Sequence, residues 1–232
     1  MEAAGWLPIG ALGLYLYDSA LLLYDTEAIV VGHGTAGRVA RGSDLLLGGR
    51  RPCFPASLTS PVARVHWDLS AAAAEPVPVP DLARFDRALR PFRIPMHALG
   101  FAFFALLPAA SLAGGPWLLL GVFALIYATI AWLVVLLARQ RTALGLDPKA
   151  LRALSIDIVL CAPFALNLVA KLGLRRPSIG DPLAVVHATL VGPALARGRT
   201  TLRQQLEALK LTRPDAAERL AALLGSLAAE PT

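Results

Sequence analysis

IPMHALGFAFFALLPAASLAGGPWLLLGVFALIYATIAWLVVLLA, residues 94–138, runs for 45 positions without Asp, Glu, Lys or Arg. Arg93 and Arg139 close it on either side. As a single helix it would be ~68 Å long at about 1.5 Å per residue, whereas a bilayer core of about 30 Å takes about 20 apolar residues. The stretch therefore reads as two crossings. Gly114-Gly115-Pro116 is the break, because Gly loosens a helix and Pro best starts a new one. Met96–Ala113 and Trp117–Ala138 are the two expected spans. A buried hairpin in a water-soluble core is the plainer alternative, but such cores rarely run this far without a charge.

Within the two spans, Ala98, Ala102, Ala105 and Ala109 recur at alternating steps of four and three, as do Gly121, Ala124, Ala128 and Ala131. Helix pairs in lipid depend on close backbone approach over small residues. These two stripes are the expected packing seam of the hairpin.

Outward from this centre, the composition agrees. The chain has 232 residues, 56 % of them hydrophobic, a formal charge of +6 and a mean hydropathy of +0.59. These values suit a mainly α, polytopic membrane protein. The basic residues flank apolar stretches, so anionic lipid headgroups are the expected counter-charge rather than nucleic acid, for which no recognition motif is present. Cys53 and Cys161 are far apart in sequence and form no CxxC, so neither a disulfide framework nor a metal site is implied. The excess of Arg over Lys, with abundant Ala and Leu, fits a bacterial origin and an inner-membrane location.

The chain divides into six segments. Residues 1–24 hold a first span, Trp6–Leu23, with no basic residue ahead of it and hence the N-terminus outside. Residues 25–80 form a small β-rich cytoplasmic insertion. Glu27–Val31 is a short β-branched run, Asp44–Leu47 and Gly48-Gly49 come after it, and Val62–Leu69 alternates Ala63, Val65, Trp67 and Leu69 with Arg64, His66 and Asp68. The spacing predicts an antiparallel sheet of three or four strands. Pro76, Pro78 and Pro80 make an extended spacer. Residues 81–93 read as an amphipathic interfacial helix capped by Asp81, with Leu82, Phe85, Leu89 and Phe92 opposite Arg84, Arg87 and Arg90. The hairpin of 94–138 follows. Residues 139–170 comprise a basic loop and a fourth apolar segment, Leu154–Ala170, interrupted by Ser155, Asp157, Pro163 and Asn167. Residues 171–232 form a helical cytoplasmic tail, with Leu202, Leu206 and Leu209 on one helix face and Leu220, Leu223, Leu224 and Leu227 on the next.

All 22 Lys and Arg residues fall into three segments, 24–93, 139–153 and 171–219. Three spans put all of them on the cytoplasmic side, as the positive-inside rule asks. The fourth segment is then re-entrant or lies buried against the other helices. A four-span form with the tail outside is the competing topology.

No motif names a reaction. Gly32-His33-Gly34-Thr35-Ala36-Gly37 matches G-x-G-x-x-G, but no long helix and no acid about 20 residues on accompany it. Glycines turning a β-hairpin account for the spacing. His33, His66, His97 and His187 are scattered without ligand spacing. No catalytic residue, cofactor or metal site is assigned. The polar residues that stand out are Asp18, ~18 Å along a helix from Trp6, Asp25 seven residues later, and Asp157 with Asn167 in the fourth segment. Acids inside a membrane normally face a partner or a polar cavity, and Arg93 and Arg139 are the expected ion-pair partners of Asp18. The expected function is that of a non-catalytic accessory or scaffold subunit bound to a protein partner or to itself. A small transporter or channel using Asp18, Asp157 and Asn167 is the alternative, and a lipid-modifying membrane enzyme is the second.

Overall fold

A computed structural model of the chain describes residues 2–55, 57–69, 82–113, 115–176, 179 and 181–229. The fold is mainly helical (67 %) with a small antiparallel sheet. It separates into two compact units. Asp81, the three spacer prolines and Gly114 lie outside the described residues.

The first unit joins α1 (Glu2–Ser19) to residues 57–59 and 83–172. The expected first helix is shorter than Trp6–Leu23. It stops at Ser19, and Leu21–Leu23 is a strand, β1. A second helix, α2 (Leu82–Leu89), passes through a 3-10 turn into α3 (Arg93–Phe101). Phe85, Leu89 and Phe92 are buried and Arg84, Arg87 and Arg90 are exposed, which is the expected two-sidedness. Residues Ala102–Leu106 then form a π turn before α4 (Leu107–Ala113), with Leu107 N–H bonded five residues back to Ala102 O. Pro108, in the next turn, has no N–H to return to Phe104, and its ring crowds that carbonyl. The wider turn relieves both problems.

The hairpin's return arm, α5 (Pro116–Arg139), starts from Gly115 in extended conformation with Pro116 at the first helical position. The two arms meet through large residues rather than the expected small-residue seam. Leu99, Phe103, Leu107 and Ala110 on one arm and Val122, Ile126, Ile130, Leu133 and Leu137 on the other are buried in one core. Ala102 is buried and Ala98 half-buried, but Ala105, Ala109, Gly121, Ala124, Ala128 and Ala131 are exposed. On the first arm the π turn shifts the helical phase, so steps of four and three that begin on the inner face end on the outer one. On α5 the apolar stripe that interlocks best by volume wins the inner position.

Where the sequence leads to three expected spans, two helical runs among the described residues are long and apolar enough to cross a membrane, Arg84–Ala113 and Pro116–Arg139. On length and composition alone this is a weak indication of membrane association.

Leu154–Ala170 is not one helix. The chain runs through α6 (Pro148–Leu160), capped by Asp147, breaks at Cys161 and continues as a 3-10 segment (Ala162–Asn167) into α7 (Leu168–Leu174). The break puts Asp157 in α6 and Asn167 in the 3-10 segment, so the two do not share one helix. Asp157 is exposed, whereas Asn167 is buried.

The second unit holds residues 20–55, 60–69 and 173–229. Its three-stranded sheet has the order β3-β2-β5, all antiparallel, with β2 (Glu27–Val31) between β3 (Arg38–Ala40) and β5 (Val62–His66). Val30 sits opposite both Val39 and Ala63. The glycine motif is the turn of the β2-β3 hairpin, with Gly32 and Gly34 at positive φ (74° and 65°). The strand β1 pairs with β4 (Arg51–Cys53), and Asp44–Leu47 lies in an exposed loop between β3 and β4. Ala28, Val30, Val65 and Trp67 share a core with α8 (Pro182–Thr189), α9 (Pro193–Thr212) and α10 (Ala217–Ala229). The helical tail is thus part of a sheet-and-helix core, into which Leu202, Leu206, Leu209 and Leu220 point.

Candidate functional site

The polar residues inside the first unit gather where α1 ends. Tyr15, Asp18 and Ser19 occupy its last turns, and Asn167 and Lys171, four apart and so on one helix face, come from the junction into α7. Lys171 Nζ lies 2.8 Å from Asp18 Oδ1, and Asn167 Nδ2 donates to Asp18 Oδ2 at 2.9 Å. Each carboxylate oxygen therefore has a donor. Asn167 Nδ2 also reaches Tyr15 O at 3.3 Å, and Ser19 Oγ lies 3.0 Å from Asn167 Oδ1 and 2.6 Å from Tyr15 O. Lys171 Nζ stands 4.6 Å over the Phe164 ring. The Asp18 and Lys171 side chains are only 12 % and 22 % exposed.

The sequence-predicted residues are divided by this arrangement. Asp18 and Asn167 come together. Asp157 does not join them, and Asp25 lies in the turn before β2, where Arg51 Nε meets its Oδ1 at 2.6 Å. The expected partners of Asp18 are elsewhere: Arg93 bonds Asp86 at 3.1 Å, and Arg139 is exposed at the C-terminus of α5, where a cation suits the helix dipole. Lys171 is the residue that sequence reasoning missed. Its position one helical turn after Asn167 was the available signal.

Along the earlier turns of α1, from Trp6 to Leu14, runs an apolar groove of about 420 Å³. Trp6 and Leu14 of α1, Phe103 at the π turn, Phe123 and Tyr127 of α5, and Pro163 at the helix break line it. Its lining is mostly apolar, with the Cys161 thiol and the Tyr127 side chain among it.

In the second unit, Gln205 is the central polar residue. Its Nε2 donates to Asp25 O and Glu27 O, both at 2.8 Å, and its Oε1 accepts from Trp67 Nε1 at 3.2 Å. A cleft of about 200 Å³ beside it is lined by Asp25, Arg41, Asp44, Arg51 and Thr212. Both thiols are free, and burial pushes that of Cys53 above its ordinary range. His97 Nδ1 bonds Arg93 O at 2.7 Å. Among the described residues no group of three His, Cys, Asp or Glu side chains is placed to hold a metal.

No protein family, curated protein or solved structure matches the chain. Any functional reading therefore stands on the geometry alone.

Proposed function

We propose that the chain is an integral membrane protein that serves, without catalysis, as an accessory or scaffold subunit of a membrane complex in a bacterial inner membrane. One observation carries the membrane part: the outer faces of the first unit are apolar. Trp117, Leu118, Leu120, Phe123, Leu125, Trp132 and Val135 stand exposed on α5, Phe101, Phe104 and Leu112 on the other arm, and Trp6, Ile9 and Leu12 on α1. A water-soluble unit exposes such side chains singly, not as a continuous sleeve.

The arms cross the bilayer as a hairpin and α1 crosses beside them with the N-terminus outside. At 18 residues α1 is ~27 Å long, close to the bilayer core of about 30 Å. The fourth segment is re-entrant. In support, Leu160–Pro163 lines the groove with Trp6 and Leu7, near the start of α1, while Lys171 meets Asp18 near its end. The segment thus enters alongside the end of α5 and returns to the level where α1 ends. This keeps all basic segments on the cytoplasmic side, where anionic headgroups attract them.

The scaffold part is tested by native mass spectrometry of the chain extracted in mild detergent. A stoichiometric partner or a self-associated species is expected, and a bare monomer at every protein concentration overturns it. The topology is tested by thiol labelling from each side of sealed vesicles. Gly225→Cys is expected to label from the cytoplasmic side and Gly115→Cys from the other. The reverse pattern overturns the orientation.

The buried Asp18–Asn167–Lys171 cluster favours a second reading, a small transporter that uses Asp18 as its coupling group. Flux in proteoliposomes that is unchanged by Asp18→Asn removes that reading.

A further inference from the structure

Among the acids of the first unit whose side chains are described, Asp18, Asp86 and Asp147 are held. Asp18 has Lys171 and Asn167, Asp86 has Arg93, and Asp147 accepts from Ala150 N–H to cap α6. Asp157 differs from them. It is exposed on α6, and among the described residues none pairs with its carboxylate. The helix itself gives no reason for an acid there. Asp157 stands in the last turn of α6 (Pro148–Leu160), where the free carbonyls make a negative charge unfavourable.

Its level along the hairpin follows from its neighbours. Leu160, three residues further along α6, lines the groove with Phe123 and Tyr127 of α5. Those two side chains stand ~10 and ~16 Å from Pro116 in a helix ~36 Å long, at about 1.5 Å per residue. The helix α6 runs back from the Arg139 end, so Asp157 lies ~5 Å nearer that end than Leu160 and level with the middle of α5. The side chains around it on the outer face of α6 are apolar: Ala153, Ile156, Val159 and Leu160 are all exposed. If the hairpin spans a bilayer, this places an exposed carboxylate in hydrocarbon, a costly arrangement that normally marks a polar partner.

We propose that the outer face of α6 docks a transmembrane helix of another protein, which brings a Lys or Arg to Asp157 at mid-membrane depth. Charge complementarity selects the occupant. The carboxylate calls for a cation at its own level, and the apolar side chains around it call for a helix with an apolar face. A second copy of this chain has no free cation to offer there. Residues 94–138 are uncharged, residues 1–23 hold no Lys or Arg, and Lys171 is held by Asp18. Arg152, the cation nearest to Asp157 along α6, lies about 140° around the helix from it and ~8 Å nearer the Arg139 end. The inference rests on the membrane reading above and names what the scaffold holds and where.

The test uses the full chain carrying Cys53→Ala, Cys161→Ala and Gly115→Cys, with a fluorescent donor at position 115, in phosphatidylcholine vesicles. The probes are two acceptor-labelled synthetic peptides, each a single leucine-rich transmembrane helix, alike except for Lys or Leu at the central position. At equal peptide density, energy transfer to the Lys peptide is expected to exceed transfer to the Leu peptide several-fold. Asp157→Asn is expected to abolish that preference and Asp157→Glu to keep it, with the thermal unfolding of both variants unchanged by circular dichroism. Equal transfer to the two peptides, or a preference that survives Asp157→Asn, overturns the proposal. A lowered unfolding temperature in Asp157→Asn gives the carboxylate a role inside the fold and overturns it too. So does transfer between donor-labelled and acceptor-labelled copies of the chain that Asp157→Asn removes, which assigns the face to self-association. Carbonate extraction of the same vesicles reports separately on insertion. A chain that carbonate removes fails the membrane reading and the docking together, whereas an inserted chain without the Lys preference fails the docking alone.

Discussion

Helices α5 and α9 are built alike on the inside and differently on the outside. Each buries a stripe at steps of three and four: Val122, Ile126, Ile130, Leu133 and Leu137 in α5, and Leu202, Leu206 and Leu209 in α9. Outward, α5 shows Trp117, Leu120, Phe123 and Trp132, whereas α9 shows Arg203, Glu207 and Lys210, the first two joined at 3.0 Å one turn apart. The inner stripe decides which helix packs on which core. The outer face reports the medium, because only the outer face meets it. Fold and environment are thus recorded on different residues of the same helix.

The largest expected effect is on the ion pair that ties the fourth segment to α1. Lys171→Ala leaves Asp18 with Asn167 alone in a nearly closed site and is expected to cost about 4 kcal/mol. The double variant Asp18→Asn/Lys171→Met is expected to recover most of that loss. Thermal unfolding of the detergent-solubilised chain followed by circular dichroism reads both, and equal losses in the single and double variants would show that the pair is not coupled. Next in size are the two faces of α5. Leu133→Ala is expected to cost about 3 kcal/mol, while Ala124→Leu and Ala128→Leu stay within about 0.5 kcal/mol of the parent in the same measurement. A large loss on adding bulk at Ala124 or Ala128 would restore the small-residue seam.

In the second unit, Gln205→Leu strands the Trp67 indole N–H and the carbonyls of Asp25 and Glu27. The expected cost is about 2 kcal/mol. A neutral result would mean that water serves these groups equally well. The smallest effect is at Cys53. Burial raises its thiol above the ordinary value, so the folded state favours the protonated form. The resulting stability is present below the unfolded-state thiol pKa and is lost as pH rises through the higher folded value. Alkylation of Cys53 in the folded chain should accordingly lag behind that of the denatured chain, with the lag shrinking as pH rises above the ordinary thiol range. Equal rates at neutral pH would argue that the site is open.

Much of the fold could be read from local pattern. The uncharged stretch broken at Pro116, the alternation through Val65 and Trp67 and the inward leucines of α9 and α10 all depend on residues within a few positions of one another. Pairings across long sequence separations were out of reach. The partner of Asp18 is 153 positions away, and an acid at a given depth suits any cation that the fold brings there. The small-residue stripes show why periodicity misleads: it tells which residues share a helix face but not which face turns inward. Side-chain volume on the neighbouring helix makes that choice.

The π turn at Ala102–Leu106 has one more consequence, for length variation among sequences that share this fold. Such a turn holds one residue more than an α-helical turn needs. A deletion of one residue here closes it to ordinary geometry without rotating either flanking helix, at the cost of bringing the Pro108 ring back against the carbonyl four residues before it, whereas a deletion in α5 turns everything beyond it by about 100° and empties its apolar stripe from the core. Single-residue gaps in natural relatives should therefore collect at 102–106 and avoid 116–139.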